Sequence, residues 1–381
     1  MIKGKPSELI YKFMLCLLIV DAALYHTTIS ESLKDPFHNV CLIGVMICGL
    51  INLWLKKYTI KYLILNVFIL LFAIVSYGIS GNTDILTSIL LVMLAWKMDI
   101  DEILKIIFQI RGVVFLLTVC LSLIGILDRG TIALTSSGKS VLFGYGHANT
   151  FAGSAGILIF LMFAIHRKKL KRIHFLIAII EDIVVFYFSR SRTSLILISA
   201  LILILLICKY YQKMNKLILK IGRYSQGILL LLIFGLIFLC IKGMLPGVTD
   251  CADKIMNGRI TLAVMNLMYY PITWMGQRVD ISLIAMHNMY YALDNGYVYI
   301  LIHYGIIGLG VLVGLQQKAI EQCIKKEDVV LVVICILILV WMAYEGMMIS
   351  ATSNFTLLFA TAILDIKSKG LKKKDNKGSK V

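Results

Sequence analysis

The sequence predicts an all-α, polytopic membrane protein, a bundle of about twelve transmembrane helices with one long loop on the outer face. Three observations predict it. Hydrophobic residues make up 60% of the 381 and charged residues only 15%, with a mean hydropathy of +0.89, whereas an ordinary soluble domain is about 45–50% apolar and about 25% charged. The apolar residues come in runs that approach membrane-crossing length. The Lys and Arg residues fall in short clusters at the ends of those runs, which is the orientation signal of membrane proteins. The net charge of +17 is therefore a record of orientation and does not call for a nucleic-acid partner.

The first run, Leu9–Tyr25, follows Lys3, Lys5 and Lys12, but no small-x-small cleavage site comes after it, so it reads as a retained helix. The next runs are Val40–Leu55, Tyr62–Ile79, Ile85–Trp96, Gly112–Leu127 and Thr150–Ile165. Then come Phe175–Phe188, Ser194–Cys208, Gly227–Leu245, Tyr297–Leu315, Val329–Tyr344 and Phe355–Ile366. Ile85–Trp96 and Phe355–Ile366 are short for a full crossing. Residues 1–366 form a single transmembrane domain on this reading, and the Lys-rich 367–381 form a basic cytoplasmic tail suited to anionic lipid headgroups. The nine cysteines lie mostly inside apolar runs without metal-ligand or redox spacing, and read as small buried apolar residues. No metal or cofactor is expected.

Alternating the runs from a cytoplasmic N-terminus puts 29 of the 38 Lys and Arg residues inside. That asymmetry predicts both termini in the cytoplasm and the interval Pro246–Gly296 outside. Two shorter outward motifs accompany it, Phe143-Gly144-Tyr145-Gly146-His147-Ala148-Asn149-Thr150 and Ser189-Arg190-Ser191-Arg192-Thr193. Arg190, Arg192, Arg259 and Arg278 run against the bias that keeps cations inside, so they call for a partner. A guanidinium fork matches phosphate oxygens bidentately, and the phosphate available at an outer leaflet is a lipid headgroup or a lipid-diphosphate carrier. The bland alternative for each arginine is an interfacial anchor or an ion pair. Asn149 and Thr150 read as caps of the sixth run. Glu181 and Asp182 read as partners of Arg190 or Arg192 in a structural ion pair, and Glu345 as a weaker case of the same kind.

Taken together and in this order, Gly144–Thr150, Ser189–Thr193, Gly258-Arg259, Gly276-Gln277 and Leu293-Asp294-Asn295-Gly296-Tyr297 resemble the Wzy-type polysaccharide polymerases of the O-antigen ligase and polymerase superfamily. Ala148 stands where members more often carry proline. The resemblance implies a GT-C-like, inverting, metal-independent glycosyltransferase that joins undecaprenyl-diphosphate-linked oligosaccharide repeat units at the outer face of a bacterial plasma membrane, with a flippase and a chain-length regulator as possible partners. On it, Arg192 and Arg259, then Arg190 and Arg278, hold the diphosphate. Three residues compete for the general base: Asp294, His287 of the pair His287-Asn288, and His147. The rival readings are a lipid-linked oligosaccharide flippase, whose arginines would line a cavity reachable from both faces, and a ligase that moves finished glycan to another acceptor.

Overall fold

The computed structural model describes residues 5–56, 60–135, 138–279 and 293–365. It is helical throughout except for a short antiparallel hairpin, β1 (Thr131–Thr135) and β2 (Gly138–Val141). The chain order is α1 (Pro6–Tyr25), α2 (Glu31–Leu55), α3 (Ile60–Ser80), α4 (Asp84–Leu94) and α5 (Ile100–Leu123). After the hairpin come α6 (Ala148–His166), α7 (Arg172–Ser189), α8 (Arg192–Tyr210), α9 (Gln212–Ile241), α10 (Pro246–Ile255) and α11 (Arg259–Tyr269). The chain closes with α12 (Gly296–Lys325), α13 (Val329–Met342) and two 3-10 turns, Gly346–Ile349 and Phe355–Asp365.

Each of the twelve predicted runs falls on one of these helical elements. Seven are long and apolar enough to cross a membrane among the described residues: α2, α3, α5, α6, α8, α9 and α12. The others fall short for definable reasons. Glu8, Lys12 and Asp21 interrupt α1, and Arg172, Glu181 and Asp182 interrupt α7. α4 and α13 have only 11 and 14 residues. Both are nonetheless buried almost all round, and a short helix is tolerated at membrane depth when protein rather than lipid surrounds it.

α6 is the central post, with thirteen of its residues buried. Trp341 of α13 lies against Gly156, where a β-carbon would come within 2.5 Å of its ring. The lipid-facing sides of α2, α3, α7 and α9 carry rows of exposed Leu, Ile, Val and Phe, as a bundle in hydrocarbon requires.

The interval expected as one long polar loop is helical in its first half. Pro246 starts α10 at a position where proline's missing N–H costs nothing. Asp253 then caps α11, its Oδ1 accepting the Ile260 and Thr261 amides at 2.9 and 3.0 Å. Ile260, Ala263 and Val264 bury the inner face of α11.

Beyond α11 the chain re-enters the bundle. α12 breaks at Gly305 (φ 70°, ψ −171°), and the segment around Trp274–Gln277 fills the break. Ile306 and Ile307 donate to Thr273 and Trp274 carbonyls at 3.0 and 3.1 Å, and Gln277 donates to Ile302 O at 3.1 Å. The backbone groups that the break frees are thus paired again by the incoming segment.

Candidate functional site

At one end of the bundle the ends of α1, α2, α3, α4, α6, α12 and α13 surround a cavity of about 650 Å³. Asp21, His38, Asn82, His147, Asp294 and Glu345 all line it. Lys12–Glu102 and the Arg167–Asp101–Asp328 group mark the opposite end. The alternation read from the charges places every one of the first set on one side and every one of the second on the other.

The His147 motif is built by its glycines. Gly144 has φ 83°, and a β-carbon there would meet the Thr118 carbonyl at 3.2 Å. The turn is stitched to the α1–α2 connection by Thr28 N–Gly144 O (2.8 Å) and Gly146 N–His26 O (3.0 Å). His147 itself is the N-cap of α6, its Nδ1 accepting the Asn149 amide at 3.2 Å. Asn149, expected as the cap, is released to bond across the cavity: its Nδ2 donates to Glu345 Oε1 at 2.9 Å.

Arg259 opens α11 behind Gly258, whose φ is 81°. Only 5% of Arg259 is exposed. Its Nε donates to Tyr344 O at 2.7 Å, and its Nη2 lies 3.2 Å from Glu345 Oε1 and 3.6 Å from Asp294 Oδ2. Asp294 faces this group because the next residue takes the capping role. Asn295 Oδ1 accepts the Tyr297 and Val298 amides at the start of α12. Burial pushes the Glu345 carboxyl up to about 8, with Arg259 opposing and Asp294 adding to the rise. Desolvation outweighs the cation here, which favours the protonated carboxyl and weakens the extent to which Glu345 neutralises Arg259.

The other arginines are dispersed. Arg278 is exposed, its Nε 3.8 Å from where a Gly81 side chain would begin, at the cavity rim. Arg190 and Arg192 stand at the α7–α8 corner and are not among the cavity residues. Arg190 is in the left-handed region (φ 56°) and lies over the Tyr187 ring. Asp182, expected to pair with one of them, accepts instead from Ser199 Oγ on α8 at 2.9 Å. His287 and Asn288 lie outside the described residues.

Two features were not foreseen in the sequence. Arg111, counted with the cytoplasmic cations, is buried within α5 and donates to Thr352 O at 2.9 Å and Ser353 Oγ at 3.1 Å, both on cavity-lining residues. On the wall formed by α1 and α2, His38 Nδ1 meets Asp21 Oδ2 at 2.8 Å. Asp21 was a carboxylate inside an apolar run, and such a residue marks a functional site by default; that signal was available and unused. Among the described residues no three His, Cys, Asp or Glu side chains converge as metal ligands. Comparison with protein-family models, with curated proteins and with solved structures finds no match to this chain.

Proposed function

We propose that this chain is a membrane glycosyltransferase of the Wzy type, polymerising undecaprenyl-diphosphate-linked oligosaccharide repeat units into capsular or exopolysaccharide at the outer face of a bacterial plasma membrane. The observation that carries the reading is Arg259. A buried guanidinium stands beside a polar cavity large enough for sugar units, with Glu345 and Asp294 between it and the open space. A diphosphate leaving group gains charge as its bond to the sugar breaks, and preorganised donors aimed at such charge contribute about 2.7–4 kcal/mol each by analogy with oxyanion holes. Arg259 is the first such donor and Arg278, at the rim, the second. Arg190 and Arg192 fit a more distant role on the donor lipid.

Two experiments test this. In cells lacking the protein, surface glycan collapses to single repeat units; repeat units trapped on the cytoplasmic leaflet would instead mean a flippase. Arg259→Ala abolishes chain growth while the protein still inserts, and Arg259→Lys restores growth only in part, because an ammonium lacks the fork. Normal polymer length in Arg259→Ala would sink the assignment.

A further inference from the structure

Taking this functional reading as its basis, the reaction needs a group that accepts the acceptor's proton, and the hydrogen bonds in the cavity rank the described groups that line it; His287 lies outside the described residues. His147 uses its Nδ1 lone pair on the Asn149 amide, so the neutral ring carries its proton on Nε2 and is a donor there. His26 also lines the cavity. Burial, with Arg111 and Lys34 adding, pushes it down to about 4, which makes it a weak proton acceptor. Burial favours the protonated form of Glu345, whose Oε1 already accepts from Asn149 and Arg259, and Asp294 lies 3.6 Å from Arg259 Nη2.

His38 is arranged the other way round. Its Nδ1 faces a carboxylate, which can only accept. The ring proton therefore sits on Nδ1, and Nε2 keeps its lone pair. Among the described residues nothing bonds that Nε2. Asp21, which sets this tautomer, is 8% exposed. Within one cavity, His147 and His38 are thus held in opposite tautomers by their neighbours.

We infer that His38, oriented by Asp21, is the catalytic base for the acceptor hydroxyl, and that His147 donates toward the departing diphosphate. In the step, the acceptor O–H gives its proton to His38 Nε2 while its oxygen forms the new bond to the anomeric carbon. The bond from that carbon to the diphosphate oxygen breaks, and its electron pair leaves with the diphosphate. Asp21 Oδ2 accepts from Nδ1 of the imidazolium, which then releases its Nε2 proton to water. The charged and titratable groups facing His38 are Asp21 and Tyr25 on α1, Asp35 on its own helix and Asp84 on α4. His26, at the end of α1 beside Tyr25, and His147, Asp294 and Glu345 also line the cavity.

The test uses the full chain in vesicles, supplied with the lipid-linked repeat units that accumulate in cells lacking it. His38→Ala slows chain growth by about 100- to 10,000-fold, and added imidazole restores part of the loss. The parent's activity falls on the acid side as His38 takes up a proton and loses its free lone pair, and in His38→Ala that limb is absent. Asp21→Asn keeps the shape but removes the tautomer lock, and lowers growth in the same direction. Growth in His38→Ala within about threefold of the parent, far inside the range expected for a base, overturns the assignment. So does a loss that imidazole leaves untouched. Arg259→Ala, run alongside, separates the two ideas: normal growth there removes the polymerase reading itself, whereas its loss beside a fully active His38→Ala removes only the base.

Discussion

Glu345 is a carboxyl whose proton is held by its surroundings. Burial outweighs the neighbouring Arg259, and the folded chain keeps the proton up to about pH 8, against 4.5 for a free side chain. Between those values the folded state binds a proton that the unfolded state has released. Stability contributed at this position therefore falls as the pH rises through the window. Glu345→Gln removes the difference, so its thermal midpoint in detergent should decline less between about pH 5 and pH 8 than the parent's; an unchanged slope would mean the carboxyl is already ionised. At this scale the sequence was half legible. Arg259 and Asp294 could be named from their motifs and their place outside the apolar runs. The weight of Glu345 could not, because its partners Asn149 and Arg259 lie 196 and 86 positions away. No local pattern encodes that convergence. His38 and Asp21 are only 17 apart, but one ends a helix and the other begins the next, and only the hairpin of α1 and α2 makes them neighbours.

Among the elements, α12 shows what the motif Gly276-Gln277 is for. A β-carbon on Gly276 (φ 88°) would come within 2.0 Å of His303 O, and one on Gly305 within 2.4 Å of the Trp274 backbone. Each glycine makes room for the other's backbone. Gly305 also occupies a region of φ and ψ that only glycine adopts readily, where another residue costs about 1–3 kcal/mol before any collision. Gly305→Ala should therefore lower the thermal midpoint and broaden the size-exclusion peak. Gly310→Ala, in the same helix with nothing within 4 Å, should leave both alone. The helical runs themselves were plain from hydropathy, since lipid leaves few alternatives to a helix. The short α4 was expected from the short run Ile85–Trp96; the helical first half of the expected loop was not. Its second helix is fixed by the cap from Asp253 and by its buried face, which hydropathy alone does not read.

For the whole molecule, the charge asymmetry anticipated which residues share an end of the bundle. All the cavity residues come from one predicted side, although hydropathy and charge say nothing of the cavity they enclose. The same asymmetry makes a direct prediction about sidedness. Cys251, on α10, is exposed, and α10 belongs to the end assigned to the outer face. In intact cells carrying Cys120→Ser, a thiol reagent that cannot cross membranes should label Cys251, and a tag on the C-terminus should stay protected until the cells are opened. Labelling only after lysis would invert the bundle and put the cavity in the cytoplasm.

The break in α12 also governs how this chain could change in length over evolution. Insertions usually survive in surface loops because the backbone there answers to nothing else. Between Pro271 and Gly276 that freedom is gone. One added residue would slide Gly276 away from His303 and put a side chain where backbone meets backbone, while the Ile306 and Ile307 amides would lose their acceptors. The register of this short stretch is as constrained as that of a strand in a sheet, and homologues should vary in length before Pro271 or after Gln277.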